Sequence, residues 1–269
     1  MKKALTIAGS DSGGGAGIQA DLKTFQELDV FGMSALTAVT AQNTLGVQAV
    51  YPMSAEAVST QIESIGEDMG TDAVKTGMLF NAEIIKAVSE KIEFYNLKNV
   101  VVDPVMIAKG GASLLQLEAI SALKKYLLPQ AMVITPNIPE AEVLTGMSIR
   151  TDEDKEEAAK RLFDLGVKHV VVKGGHDEYR DVSVDLLYDG NEFKTFTSKR
   201  VLTKNTHGTG CTFSAAVTAE LAKGLSVYEA VSKAKHFIQA AIEDQLLIGQ
   251  GHGPTNHWAY RKRIVAIGR

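Results

Sequence analysis

Short, continuous apolar runs alternate with longer amphipathic stretches along most of this chain. Asn99-Val100-Val101-Val102 is typical of the runs, and strands have this unbroken character when both faces of their sheet are covered. The stretches between the runs repeat apolar residues every three or four positions, as at Val58, Ile62, Ile65 and Met69, which is the period of a helix with one buried face. The alternation predicts an α/β fold, a doubly wound and mostly parallel sheet with helices on both faces.

Six apolar runs are the predicted parallel strands, at residues 4–8, 34–41, 73–76, 100–103, 132–135 and 169–173. Residues 182–188 and 192–197 flank Asp189-Gly190-Asn191 and predict a β-hairpin, because Asp-Gly suits a tight turn. Ser226 and Glu229 have the spacing of a capping box, so a long helix should begin there. No stretch has the composition of a linker, and we expect residues 1–269 to form a single domain.

The composition limits the class of partner. The chain has 269 residues with a formal net charge of -4, so it has no global attraction for a polyanion and we expect no nucleic-acid partner. No apolar stretch approaches the ~18 residues of a membrane span, and the apolar run after Met1 is too short for a signal peptide. A single Cys excludes an internal disulfide. These observations favour a cytoplasmic protein that does not bind a membrane.

A glycine-rich segment, residues 9–17, follows the first predicted strand and leads into a helical pattern. Gly15-x-Gly17-x-x-Ala20 satisfies the loose dinucleotide fingerprint. That fingerprint also needs an acidic residue at the end of the next strand to hold a ribose, whereas this strand is followed by Gln42-Asn43. A nicotinamide-dependent dehydrogenase is therefore disfavoured. The alternative is a flexible turn whose glycines let the helix pack closely.

A second glycine-rich segment opens an Ala-rich helical pattern and contains Gly208, Thr209, Gly210 and Cys211. Successive backbone N–H groups at a helix N terminus can bind phosphate oxygens, and the chain has no Gly-x-x-x-x-Gly-Lys-Ser/Thr segment that would make a P-loop. The helix dipole should lower the pKa of a thiol in that first turn. The alternative is that the glycines only cap the helix while Cys211 packs as a small apolar side chain.

Charged residues follow three other predicted strands, where ligands of open α/β sheets bind. Asp103 ends one strand, and Glu140 follows another in Asn137-Ile138-Pro139-Glu140. The two carboxylates are candidates to hold Mg²⁺ through water, although Asn137 and Glu140 also form a capping-box pattern. Lys173 ends a further strand and could stabilise charge on a transferring phosphate. The histidines have no metal-ligand spacing and are expected to be polar or structural, among them His176, His207, His252 and His257.

Taken together, these segments resemble the ribokinase-like superfamily. Over the run to about His257 they are more closely similar to the bacterial hydroxymethylpyrimidine/phosphomethylpyrimidine kinases of thiamine biosynthesis. The matching segments, in order and at the family's spacing, are residues 8–21, Val39-Thr40-Ala41-Gln42-Asn43-Thr44, Lys75-Thr76-Gly77-Met78-Leu79, Val102-Asp103-Pro104-Val105-Met106, Thr135-Pro136-Asn137, residues 204–211 and Gly251-His252-Gly253-Pro254.

The resemblance implies an ATP- and Mg²⁺-dependent kinase that phosphorylates 4-amino-5-hydroxymethyl-2-methylpyrimidine and then its monophosphate, working as a homodimer. Cys211 and Lys173 are the implied catalytic residues, and Cys211 stands where the wider superfamily usually has an aspartate base. The implied pyrimidine contacts are Gly9, Asp21, Gln42, Met78 and Val105. The ATP phosphates would lie over Gly208, Thr209, Gly210 and Cys211, with Lys173 and with Mg²⁺ near Asp103 and Glu140.

Two alternatives remain open at this point. The family's close relatives that phosphorylate pyridoxal are the first. The Gln42 carboxamide offers one acceptor and one donor in a plane, which matches the 4-amino group and adjacent ring nitrogen of an aminopyrimidine, and a pyridoxal ring lacks that pair. The second alternative is a non-catalytic sensor of the pyrimidine, which would have no need of a phosphate loop.

Overall fold

The computed structural model describes residues 1–106, 117–175 and 181–267. These residues form an α/β fold around one nine-stranded sheet. His176 lies outside these ranges. The sheet order is β3-β2-β1-β4-β5-β6-β7-β8-β9. The strands are β1 (Lys3–Asp11), β2 (Phe31–Asn43), β3 (Gly46–Pro52), β4 (Ala73–Thr76), β5 (Val100–Val102), β6 (Val133–Ile134), β7 (Val170–Val172), β8 (Val182–Tyr188) and β9 (Phe193–Lys199).

The six strands from β2 to β7 in this order are parallel, and β3 at one edge and the β8–β9 hairpin at the other are antiparallel. The predicted α/β class with a mostly parallel sheet is confirmed. Strand β3 was not predicted, because none of its residues is buried and it has no continuous apolar run. Strand β2 extends beyond the predicted residues at both ends, since its pairing with β1 and β3 continues past the apolar core.

Helices cover both faces of the sheet. Val100 and Val102 of β5 point into one apolar core and Val101 into the other, so every position of this short strand is buried. The helices are α1 (Gly17–Glu27), α2 (Ala55–Asp68), α3 (Ala82–Phe94), α4 (Leu117–Ala122), α5 (Ile138–Thr145), α6 (Asp152–Phe163), α7 (Thr209–Ala222), α8 (Val227–Glu243) and α9 (Ala259–Ile267).

Helices α2 to α6 pack on one face of the sheet, and α1, α7 and α8 pack on the other. The predicted start of α8 is confirmed: the Ser226 hydroxyl accepts from the Glu229 N–H and the Glu229 carboxylate accepts from the Ser226 N–H. None of the helices in the described ranges is both long and apolar enough to cross a bilayer.

The direction of strand addition reverses at β1. The chain places β2 and β3 on one side of β1 and then returns to add β4 on the other side. Because the crossovers leave in opposite directions, a crevice opens beyond the carboxyl ends of β1 and β4, where ligands of doubly wound sheets bind.

A buried ion pair lies directly beneath this crevice. Lys75 Nζ of β4 is 3.0 and 2.9 Å from the two carboxylate oxygens of Asp21 in α1, and both side chains are fully buried. The Thr6 hydroxyl donates to Asp21 at 2.6 Å. Burial opposes the charge on Lys75, but the neighbouring Asp21 carboxylate outweighs it and holds the pKa of Lys75 above its usual value. The pair therefore fixes α1 against the centre of the sheet.

Lys75→Met should lower the free energy of unfolding by about 3 to 5 kcal/mol, because it leaves the Asp21 carboxylate buried without its cation. Lys75→Met combined with Asp21→Leu should recover much of that loss, since the double variant removes both charges. Denaturant unfolding monitored by circular dichroism measures both effects. Lys91→Met, at a partly exposed ion pair with Glu63 on the surface, is the control and should unfold near the wild-type midpoint. A wild-type midpoint for Lys75→Met would contradict this account.

Candidate active site

A cavity of about 540 Å³ opens at the carboxyl ends of the central strands, a size that suits a small organic ligand. Its wall contains most of the residues predicted from the sequence: Gly9, Gln42, Met78, Asp103, Val105, Glu140, Lys173, Gly208, Thr209, Gly210 and Cys211. Residues as far apart in the chain as Gly9 and Cys211 are thereby brought into one cavity.

Asp21 is the predicted substrate contact that the structure places elsewhere. It is fully buried in its ion pair with Lys75 and does not line the cavity, whereas Lys75 does. The direct contact that the resemblance implied is not present in this cavity wall and stays a prediction. Asp21 is bound by the Lys75 ammonium and the Thr6 hydroxyl in the protein interior. It therefore supports the cavity wall by holding Lys75 in position.

The two glycine-rich segments touch each other. Gly208 has φ +80°, and a Cβ on it would lie 1.8 Å from the backbone oxygen of Gly15. Any other residue at position 208 would therefore meet both backbone strain and a steric overlap. This contact places the N terminus of α7 beside the loop that precedes α1.

Asp11 organises the first glycine-rich loop. Its carboxylate accepts hydrogen bonds from the backbone N–H groups of Gly13, Gly15 and Ala16, at 2.8 to 3.0 Å. His207 Nε2 lies 2.8 Å from Asp11 Oδ2 and joins this loop to the start of α7. Burial opposes ionisation of Asp11, but the hydrogen bonds from His207 and the backbone outweigh it and hold the pKa of Asp11 below its usual value. His207, expected to be a structural or polar residue, also lines the cavity.

Gln42 lies at the end of β2 and lines the cavity. The Ser12 hydroxyl donates to the Gln42 backbone oxygen and accepts from its backbone N–H, each at 2.8 Å. The side chain contacts His207 Nε2 at 3.3 Å and Thr40 Oγ1 at 3.2 Å. These contacts fix both the backbone and the side chain of Gln42.

Gly9 and Met78 form part of the apolar wall near Gln42. A Cβ on Gly9 would lie 2.4 Å from Met78 Cε, so the absence of a side chain at position 9 makes room for the thioether. Val105 lies in the same cavity. A flat, partly apolar ring could be held between these surfaces.

Lys173 and Asp103 lie at the N terminus of α7. Lys173 Nζ is 3.1 Å from Asp103 Oδ1, and a Cβ on Gly210 would lie 3.2 Å from Lys173 Nζ. Burial opposes the charge on Lys173, but Asp103 and Glu140 outweigh it and raise the pKa of Lys173. A charged ammonium thus lies beside the first turn of α7, an arrangement of the kind that binds anions in other proteins.

The turn that carries Lys173 is fixed by two charged residues that sequence reasoning missed. Asp185 accepts from the Gly174 N–H at 2.9 Å and from Lys235 Nζ at 2.8 Å. The side chains of Asp185 and Lys235 are both buried. A Cβ on Gly174 would lie 2.0 Å from the Val184 oxygen. The signal was present in the sequence, since Asp185 interrupts an apolar strand and Lys235 lies on the apolar face of α8.

Glu140 forms the capping box of α5, the alternative that the sequence left open. Glu140 Oε2 accepts from the Asn137 N–H and the Asn137 side chain accepts from the Glu140 N–H, each at 2.9 Å. The same carboxylate lines the cavity with Asp103. Burial raises the pKa of Glu140 to about 7, against the opposing effect of Lys173. The cap is therefore established, and it leaves the carboxylate facing the cavity.

Cys211 lies in the first turn of α7 and receives the backbone N–H of Gly17 at the start of α1. Its thiol does not have the lowered pKa that the helix dipole predicted. Burial raises the pKa of Cys211 to about 11, and Lys75 and the Gly17 N–H offset this only in part. The prediction was wrong because desolvation disfavours the thiolate by more than the helix N terminus favours it.

The sheet order, the crevice and the helix N terminus beside a lysine define a ribokinase-like α/β protein. A family model described as phosphomethylpyrimidine kinase matches residues 11–256, and the chain belongs to this family.

Individual relatives support the same assignment. The chain is 57% identical over 267 residues to the hydroxymethylpyrimidine/phosphomethylpyrimidine kinase of Bacillus subtilis, covering 99% of this chain and 98% of that protein. Its fold is similar to an ADP complex of Bacillus subtilis pyridoxal kinase, with a TM-score of 0.90, 48% identity, and coverage of 97% and 99% of the two chains. It is also similar to phosphomethylpyrimidine kinase from Clostridium difficile, with a TM-score of 0.81, 47% identity, and coverage of 90% and 100%.

Iodoacetamide should alkylate the ligand-free protein slowly at pH 7 to 8, and the rate should still be rising at pH 10, because the thiolate forms only as the pH approaches about 11. An unperturbed thiol, with pKa about 8.5, would reach its plateau well before that. Mass spectrometry of the labelled chain measures the rate, and circular dichroism checks the fold at each pH. Cys211→Ser is the control and should not react, since the chain has one Cys. A plateau below pH 9 would contradict the raised pKa.

Proposed function

We propose that this chain is an ATP-dependent kinase that phosphorylates the hydroxymethyl group of 4-amino-5-hydroxymethyl-2-methylpyrimidine and then phosphorylates the monophosphate. The observation that carries the proposal is one cavity that Gln42, Lys173 and the N-terminal residues of α7 all line. The membership of the phosphomethylpyrimidine kinase family supports it.

The pyrimidine end of the site is the part around Gln42. Its carboxamide presents one donor and one acceptor in a plane, the complement of a 4-amino group next to a ring nitrogen. Met78 and Val105 would pack against the ring faces, and Gly9 leaves the backbone close to the ligand. These residues would orient the ring rather than react with it.

The phosphate end of the site is the N terminus of α7. Backbone N–H groups of residues 208–211 and the Lys173 ammonium would hold the transferring phosphoryl group and neutralise charge on it. Phosphoryl transfer depends mainly on positioning and on charge stabilisation. We therefore expect these groups to supply more of the rate than any base does.

Asp103 and Glu140 would hold Mg²⁺. Two carboxylates on one cavity wall, with no cluster of three His, Cys, Asp or Glu ligands in the described ranges, suit an ion that keeps several waters and binds phosphate oxygens. When bound, Mg²⁺ would neutralise charge on the phosphates. Asp103 also binds Lys173. The Lys173 ammonium and Mg²⁺ would therefore share the Asp103 carboxylate.

Cys211 is the proposed acceptor of the hydroxyl proton. Its position in the first turn of α7 supports the role, but a pKa of about 11 leaves the thiol protonated at neutral pH. In the ligand-free protein, only a small fraction of Cys211 would be in the thiolate form that can accept a proton. The contribution of Cys211 should accordingly be modest, which fits a loose transition state that needs a base late and weakly.

Pyridoxal phosphorylation is the second candidate function. It is favoured by the similarity to the Bacillus subtilis pyridoxal kinase, whose structure was determined with ADP. Gln42 argues against it as the main activity, because a pyridoxal ring does not present an amino group beside a ring nitrogen.

The chain should form a homodimer. Val39, Leu45 and Tyr51 are exposed on and between β2 and β3, at the edge of the sheet, and large apolar side chains on an edge strand favour association. An enzyme that consumes ATP is expected to work in the cytoplasm.

An ATP-consumption assay with the pyrimidine alcohol and pyridoxal side by side tests the proposed function. The pyrimidine should give the higher kcat/KM, and Gln42→Leu should lower it at least tenfold, because two polar atoms of the ring lose their partners. His236→Leu, at an exposed position of α8, is the control and should match the wild type. A higher kcat/KM for pyridoxal would establish the second function, and turnover of neither would overturn both.

Glu140→Gln should raise the Mg²⁺ concentration that gives half-maximal rate, because an uncharged amide is a weaker ligand for a hard cation. The melting temperature should stay near that of the wild type, since Gln can still accept the Asn137 N–H in the capping box. Steady-state rates over a Mg²⁺ series and a thermal melt measure the two effects. A melting temperature several degrees lower with an unchanged Mg²⁺ requirement would show that Glu140 acts only as a cap.

A further inference from the structure

The His207 ring nitrogen Nε2 has two polar neighbours. It lies 2.8 Å from Asp11 Oδ2 and 3.3 Å from the nearer atom of the Gln42 carboxamide, which is Nε2. An imidazole nitrogen either carries a proton and donates, or lacks one and accepts. The location of one proton therefore determines what His207 offers to Gln42.

Asp11 fixes that proton on Nε2. Its carboxylate is an acceptor for three backbone N–H groups, those of Gly13, Gly15 and Ala16, so it has no proton of its own to share with His207. A bare imidazole nitrogen 2.8 Å from a carboxylate oxygen would place two lone pairs against each other. His207 Nε2 accordingly carries a proton, which it donates to Asp11 in the shorter contact. The protonated nitrogen then has no lone pair to offer Gln42 and favours an acceptor atom there.

Thr40 constrains the opposite end of the carboxamide. Its hydroxyl lies 2.9 Å from the backbone oxygen of Ser10 and 3.2 Å from Gln42 Oε1. The backbone oxygen of Ser10 can only accept, and it makes the shorter of the two contacts. The single hydroxyl proton of Thr40 therefore goes to Ser10. Thr40 Oγ1 then offers a lone pair to Gln42 and requires a donor there.

A half-turn of the Gln42 amide about its last single bond satisfies both neighbours. With Oε1 toward His207 and Nε2 toward Thr40, each contact pairs a donor with an acceptor, whereas the opposite orientation sets N–H against N–H at His207. We propose that the Asp11–His207 pair, with Thr40, holds the Gln42 carboxamide in this one orientation and so determines which way round an aminopyrimidine binds. Asp11 and His207 are then positioning residues that act through Gln42.

The orientation of the amide fixes the direction of the substrate, an inference that rests on the proposed function. Oε1 on the His207 side would accept from the 4-amino group, and Nε2 on the Thr40 side would donate to the adjacent ring nitrogen. The carbon that bears the hydroxymethyl group lies on the amino side of the ring. The hydroxymethyl group would thus point toward His207 and the start of α7, where the phosphoryl group is expected, and the reversed ring would point it away.

The same network predicts a specificity. A 4-oxo analogue of the pyrimidine alcohol presents a ring N–H beside a carbonyl oxygen, which reverses the order of donor and acceptor. It could pair with Gln42 only if the amide turned back and lost its contacts with His207 and Thr40. The wild-type protein should therefore bind the 4-amino alcohol at least about a hundredfold more tightly than the 4-oxo analogue.

Nitrogen-15 NMR of the ligand-free protein, labelled on histidine, tests the position of the proton directly. His207 should be protonated at Nε2, with or without a second proton at Nδ1, and spectra of His207→Leu assign its signals. A ring protonated at Nδ1 alone would overturn the proposal. This measurement does not depend on the identity of the substrate.

Calorimetry with the 4-amino alcohol and the 4-oxo analogue tests the consequence. His207→Leu frees the amide, and the preference should fall from at least about a hundredfold to about tenfold or less. Thr40→Val, a second variant of nearly unchanged shape, should lower the same ratio, and His236→Leu is the control that should keep it. An undiminished ratio in both His207→Leu and Thr40→Val would overturn the proposal. A wild-type protein that binds neither compound would instead overturn the proposed pyrimidine kinase function, with the proton position still decided by NMR.

Discussion

Two backbone segments from opposite ends of the chain can touch only because both lack side chains where they meet. Gly208 lies against the backbone of Gly15, and the Asp11–His207 contact joins the two segments beside them. This contact brings the N terminus of α7 to the crevice that the reversed strand order opens at β1. Without it, the first turn of α7 and Gln42 would not line the same cavity.

Three largely buried lysines around the cavity are each paired with a buried aspartate. Lys75 is bound by Asp21, Lys173 by Asp103, and Lys235 by Asp185. A buried pair of this kind contributes little net stability, but removing one partner is costly. The pairs therefore act mainly as constraints on position: they hold α1, the Lys173 turn and α8 at defined places around the cavity, at the cost of making each partner hard to replace.

The same burial explains where simple expectations about chemistry fail. A thiol at a helix N terminus is expected to ionise easily, yet the surroundings of Cys211 raise its pKa to about 11. A carboxylate near Lys173 is expected to stay ionised, yet burial raises the pKa of Glu140 to about 7. In both cases the loss of water outweighs the favourable neighbour. Glu140 is thereby brought close to a change of protonation state at neutral pH, whereas Cys211 is held in its protonated form.

The sequence by itself predicted the class of fold and a group of residues that line the cavity. Unbroken apolar runs such as Val100-Val101-Val102 are typical of strands buried on both faces, and parallel strands bring the residues at their carboxyl ends to one edge of the sheet. The sequence did not determine the half-exposed strand β3, whose pattern is weak, or the place of Asp21 behind the wall. It also did not show that His207, expected to be structural, meets Asp11 and Gln42, or that Asp185 and Lys235 fix the Lys173 turn. Only the tertiary structure decided these points, because hydrogen bonds and desolvation depend on distances between residues far apart in the chain, and periodicity within a segment contains no information on such distances.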